Sequence, residues 1–119
     1  MSSFEVPKEL MAKQLEVLEK IAKGGGKFKA GVNEVTKAIE REKAKLVFIA
    51  LDVDPKEIVM HLPLICKEKK IPYTFVESKK ELGEKAGIKV PTSALAVMDE
   101  GKEKKEVTDL AKKLAELQV

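Results

Sequence analysis

Few residues in this chain are equipped for chemistry, and the densest group lies between Lys29 and Arg41. If this stretch is helical, Asn33, Glu34, Lys37 and Arg41 fall within roughly a quarter of the circumference. Val35, Ala38 and Ile39 take the opposite side. One face is then core, and the other carries an amide, a carboxylate and two cations. Those groups can read bases: an amide donates and accepts, a carboxylate accepts from amino groups, and a cation donates to guanine acceptors or phosphate. Asn33 is expected to cap the helix. The helix N-terminus then offers N–H groups to a phosphate, with Lys23, Lys27 and Lys29 nearby and Gly31 leaving room for a backbone to approach. A solvated face with an ordinary cap explains the same residues. The pattern alone favours that plainer account.

Other candidates are weaker. Ile88-Lys89-Val90, beside Pro91, places two apolar residues in a loop, where they could pack on an unstacked base or tuck into the core. Asp52 and Asp54 follow an apolar run, where α/β proteins often carry functional groups, although Asp54 also suits a helix cap. Gly24-Gly25-Gly26-Lys27 fails as a phosphate loop, because Ile21 and Phe28 stand where Gly and Ser or Thr are needed. Cys66 and His61 are each the only residue of their type, so no internal disulfide forms and a zinc site is not expected. Cys66 lies in the apolar run Leu64-Ile65-Cys66 and reads as core filler.

The elements that position these residues follow from periodicity. Leu10, Met11, Leu15, Leu18, Ile21 and Ala22 predict a helix over 9–23, with Pro7 near its start and Gly24-Gly25-Gly26 ending it. Lys27 to Ala30 alternates like a short strand, and the helix after Gly31 runs to about Arg41. Lys45 to Leu51 reads as a buried central strand. Asp54-Pro55-Lys56-Glu57 has the features of a helix start, and Pro63 should kink or divide the helix that follows. Pro72 to Val76 reads as a strand. Ser78-Lys79-Lys80-Glu81 opens a short helix that Gly87 closes. A strand over 94–98 and a helix through Val107, Leu110, Ala111, Leu114 and Leu117 complete the chain. Strands alternating with helices predict an α/β domain, and no linker divides 1–119.

Composition sets outer limits. The chain has 119 residues, enough to bury about 65% of its unfolded surface in one core. It is 44% hydrophobic and 36% charged, a soluble globular profile rich in Lys and Glu, as heat-adapted proteins often are. Net charge is +3, but with 20 acidic residues any nucleic-acid site must be a local patch rather than a polycationic coat. No apolar run approaches the ~20 residues of a membrane span, and the N-terminus lacks a signal-peptide pattern, so a soluble intracellular protein, cytoplasmic and without a membrane partner, is expected.

The stretch from Lys29 to Arg41, with its Gly31-x-Asn33-Glu34-x-x-Lys37 core, resembles the signature of the archaeal L7Ae ribosomal proteins, which bind kink-turn RNA. Asp52-Val53-Asp54-Pro55, His61-Leu62-Pro63-Leu64, Ile71-Pro72-Tyr73, Ser78-Lys79 and Leu82-Gly83 extend the likeness over nearly the whole chain. The resemblance implies a three-layer α-β-α sandwich around a small mixed sheet. It implies binding, with no cofactor, to a sharply bent RNA containing tandem sheared G·A pairs. Asn33, Glu34 and Lys37 would read guanine edges, while Lys29, Gly31 and Arg41 would lie near the backbone. Asp54, Ile58, Lys79 and the loop Ile88, Lys89, Val90 would surround an extruded nucleotide. Members of the family serve in the large ribosomal subunit, in box C/D and H/ACA guide particles and in ribonuclease P, and the free chain is expected to be a monomer. In box C/D particles they assemble with a Nop-domain scaffold protein and fibrillarin. Four positions depart from the pattern: Val32 for Thr, Glu42 for Gly, Leu51 for an acid and Lys89 for Glu.

A different class, a receiver-like or catalytic small α/β domain, is suggested by length, alternation and the Asp52/Asp54 pair. It lacks support elsewhere: where an early acidic pair is needed the chain offers Gly24 to Lys27, the last strand ends Met98-Asp99 where a Lys is needed, and no nucleophile–base pair is visible.

Overall fold

The computed structural model describes residues 8–53 and 55–117. Asp54, Pro7 and the chain ends lie outside the described residues. Four strands, β1 (Lys27–Ala30), β2 (Leu46–Ala50), β3 (Tyr73–Val76) and β4 (Ala94–Asp99), form one sheet in the order β1-β4-β2-β3. β4 runs antiparallel to both β1 and β2, and β2 runs parallel to β3. A receiver needs an all-parallel sheet, so that alternative does not fit.

Burial along the strands dictates the layers. Every residue of β2 and β3 is buried, which requires cover on both faces of the sheet. Helices α1 (Lys8–Lys23) and α4 (Lys79–Ala86) pack together, with α5 (Lys104–Leu117) against α1 and β3. Helices α2 (Val32–Glu40) and α3 (His61–Lys69) pair with each other as a second group. The expected α-β-α sandwich on a small mixed sheet is what forms. Leu18 and Ile21 from α1, Ile39 from α2, Leu62 and Cys66 from α3, and Leu82 from α4 meet the sheet with almost no exposure. Edge strand β1 differs: Phe28 and Ala30 are half-buried, while Lys27 and Lys29 are exposed, which discourages edge-to-edge pairing.

Two local expectations are corrected. Asn33 does not cap α2. Gly31 is the N-cap, at φ 95° and ψ 147°, and no side chain caps this helix. Tertiary bonds decide this, because the Gly31 N–H is drawn to Ala94 O (3.0 Å) and Thr92 Oγ1 (3.2 Å), which turns the chain early. The segment after Asp54 is divided in two, as one of the two expectations had it, but the break falls ahead of Pro63 and not at it. A single 3-10 turn (Lys56–Ile58) is followed by α3, whose N-cap is Met60, so Pro63 sits in the first turn of α3, where its missing N–H costs nothing.

The close of α2 explains Glu42. Its N–H donates to Ile39 O, and that of Lys43 to Ala38 O, both at 2.9 Å. This is the bond pattern that normally places Gly in the left-handed region, and here Glu42 takes that conformation itself, at φ 56°. Lys70 does the same at the end of α3 with φ 59°.

Candidate nucleic-acid interface

Sheet topology gathers the candidate residues. β1, β2 and β3 run in one direction and finish at the same end of the sheet, where the antiparallel β4 begins: Ala30 pairs with Leu95, Ile49 with Ala94, and Ala50 with Val76. The segments leaving β1, β2 and β3 therefore share that end with the loop entering β4. Hydrogen bonds tie them in sequence. Gly31 N–H donates to Thr92 Oγ1 and Ala94 O; Thr92 N–H donates to Lys79 O (3.2 Å); Lys79 N–H donates to the Asp52 carboxylate (2.9 Å). The starts of α2 and α4 and the loop over 88–93 are thus fixed against one another.

Within this frame, Asn33, Glu34, Lys37 and Arg41 are all exposed along α2, and Val35, Ala38 and Ile39 are buried beneath them. Arg41 lies at the C-cap, roughly 15 Å along the helix from Gly31. With no side chain capping α2, the N–H groups of its first turn can meet an anion. Glu34 occupies the third helical position, where a Glu usually reaches back to the N-cap N–H. That N–H is already taken by Ala94 and Thr92, which leaves the carboxylate no capping duty. Nothing lies within 4 Å of where a Gly31 Cβ would be, so the space beside it is open.

The remaining candidates divide. Lys29 is exposed on β1, Lys79 is half-buried at the start of α4, and Ile58 is 44% exposed. Ile88 packs partly against the core, whereas Val90 is 59% exposed and Lys89 is exposed with φ 63°. The apolar loop thus contributes one side chain to the interior and one to the surface. Its path is dictated from below, since a Cβ on Gly83 would collide with the carbonyl of Val90. Asp54 lies outside the described residues.

Sequence reasoning misses two supporting residues, Thr92 and Thr36, and the anchoring role of a third, Asp52. Thr92 is buried, and its hydroxyl, which donates to Ala94 O at 2.7 Å, also accepts from Gly31. Asp52 anchors the first N–H of α4. The Thr36 hydroxyl donates to Val32 O (2.8 Å) and lies in hydrogen-bond contact with His61 Nε2 (2.9 Å), joining α2 to α3. Polar residues beside apolar runs are the available signal, but their partners are 25 to 61 positions away. Cys66 is buried among apolar neighbours, which push its thiol up from 9.0 to about 12 and leave it unreactive, as a core filler should be. Among the described residues no cluster of three or more His, Cys, Asp or Glu could hold a metal ion, and no helix is long and apolar enough to cross a membrane.

The chain is thus an α/β sandwich that carries an uncapped polar helix and a braced loop at one sheet end. The sequence profile of the Ribosomal protein L7Ae/L30e/S12e/Gadd45 family matches residues 12–107, and the chain belongs to that family. Its structure is similar to that of the Giardia lamblia 15.5kD RNA binding protein, with 37% sequence identity, a TM-score of 0.86, and coverage of 94% of this chain and 92% of that one.

Proposed function

We propose that this protein is a non-enzymatic RNA-binding protein that recognises kink-turn RNA. The observation that carries this reading is the start of α2. Glu34 is exposed, has no capping work and stands between Asn33 and Lys37 on a helix whose first N–H groups carry no side-chain cap. An unengaged carboxylate on a phosphate-binding surface is useful when it accepts hydrogen bonds from a base. Family membership and the likeness to an RNA-binding protein support the same reading. In it, Asn33, Glu34 and Lys37 take guanine edges of the sheared G·A pairs, and Lys29, Gly31 and Arg41 take the backbone. Asp54, Ile58, Lys79 and the loop Ile88, Lys89, Val90 enclose an extruded nucleotide. The RNA partners would be ribosomal RNA, box C/D and H/ACA guide RNAs and ribonuclease P RNA. The protein partners in box C/D particles would be a Nop-domain scaffold and fibrillarin. On this reading the protein would work in the cytoplasm of an archaeal cell.

Titration against a kink-turn and against the same RNA with its G·A pairs made Watson–Crick tests the proposal. Affinity should fall by ~1–3 kcal/mol for each base whose bidentate hydrogen bonding is abolished. Equal affinity for both RNAs would overturn it.

A further inference from the structure

The positive charge of the molecule is not where the bases would be read. The described side chains of the segments around 51–58, 77–81 and 88–93 at that end carry Lys79, Lys80 and Lys89 against Asp52, Glu57, Glu77 and Glu81: three cations to four anions. Lys29 and Lys37 add two cations and Glu34 a further anion, which makes the reading end neutral, five to five. With no net charge there, net attraction for phosphate has to come from elsewhere on the surface.

The opposite end of the sheet supplies it. α2 leaves the base-reading end and finishes beside the start of β2, where Lys45 N–H donates to Val97 O. α3 finishes beside the start of β3, where Pro72 O accepts from Val47 N–H at 3.0 Å. Because β2 and β3 are parallel neighbours, with Val47 opposite Tyr73, the two helices, which pack on each other, end over neighbouring strands at the same end of the sheet. Residues 40–45 and 67–70 carry Arg41, Lys43, Lys45, Lys67, Lys69 and Lys70 against Glu40, Glu42 and Glu68: six cations to three anions. Five of the six cations are exposed and Lys69 is half-exposed; none of them forms an ion pair among the described residues. Lysines at a helix end are commonly explained by the macrodipole, but two helix ends present only about one negative charge in total. About two positive charges are left over. The patch is also continuous with the reading face, since Lys37 and then Arg41 lead to it along α2.

We propose that the C-termini of α2 and α3 together form a second, sequence-blind phosphate surface, which holds the duplex stem of a bound RNA as it runs beyond the bend. The inference rests on the kink-turn reading above. It divides the labour: the near-neutral end discriminates between bases, and the basic end supplies most of the electrostatic affinity through counterion release.

The test uses the whole protein and four RNAs, a kink-turn and its Watson–Crick version, each with both flanking stems cut short or extended by one helical turn. Lys43→Gln combined with Lys67→Gln removes two exposed cations. With the long-stem kink-turn, the slope of log affinity against log salt should flatten by about two. With the short-stem kink-turn it should not change. Lys43→Arg with Lys67→Arg keeps the charge and should behave like the parent on both, which separates charge loss from structural damage; melting temperatures check this independently. An equal change on short and long stems, or no change on either, overturns the inference. Failure of the parent to distinguish the short kink-turn from its Watson–Crick version would strike the underlying reading instead.

Discussion

Asn33 and Glu34 stand next to each other on α2, yet the structure separates what their replacement should do. Asn33 is the second helical residue and not the cap, so Asn33→Ala should change stability by no more than ~0.5 kcal/mol, as surface substitutions do. A loss near the ~1 kcal/mol typical of a cap would show that its side chain holds the helix end after all. RNA affinity should drop all the same. Glu34→Gln keeps shape and removes charge, at a cost of ~0.3–1 kcal/mol in dipole interaction. If the carboxylate merely faces solvent, the Gln variant should bind RNA more tightly, having shed a repulsion. If it accepts from guanine, kink-turn binding should weaken and the preference over the Watson–Crick version should narrow. Titrations of both RNAs, with melting curves alongside, decide between these outcomes.

At the scale of elements, legibility follows the range of the interactions involved. Ser78 is readable as a cap because its hydroxyl accepts from Lys80 and Glu81 N–H, two and three residues on. The start of α2 is not readable, because its determinants, Thr92 and Ala94, are remote in sequence. Strand order is not written in the periodicity at all; a mixed sheet is implied only by family resemblance. Glu42 shows the same limit: its departure from Gly is visible, but its left-handed conformation is not. The strain can be measured. Left-handed backbone costs a residue with a Cβ ~1–2 kcal/mol, and Gly gives back ~0.5–1 kcal/mol through its freer unfolded chain. Glu42→Gly should therefore raise stability by up to ~1 kcal/mol, seen as a higher denaturant midpoint at constant m. No gain would mean that the exposed Glu42 side chain contributes something that offsets the strain. Gly83→Ala acts in the other direction. Its methyl group must displace the carbonyl of Val90, an overpacking cost of ~1–3 kcal/mol, and it should loosen the loop and, through Thr92, the start of α2. Unchanged melting would show that the loop yields freely.

The molecule as a whole is built so that three strand ends and one strand start converge, and the candidate residues are gathered there by topology that sequence spacing does not reveal. This arrangement makes a prediction about where ligand protection will appear. Any ligand that binds only the native state stabilises it, by ~2.7 kcal/mol at a hundredfold excess over Kd. Core amides that exchange through global unfolding, such as those of Val47 to Ile49, should slow about a hundredfold on RNA binding wherever the RNA sits. Amides that open by local fluctuation report the binding surface instead. The first-turn N–H groups of Val32, Asn33 and Glu34 have no side-chain cap and should exchange readily in the free protein. A short-stem kink-turn should protect them, together with the loop over 88–93 and the segment after β2. The α5 amides that open by local fluctuation near the exposed Lys112 and Lys113, which belong to no part of the convergent end, should be unaffected. Hydrogen exchange read by mass spectrometry at peptide level can resolve these segments. Protection confined to α1 and α5, with the first turn of α2 still exchanging freely, would move the interface to the other helical layer.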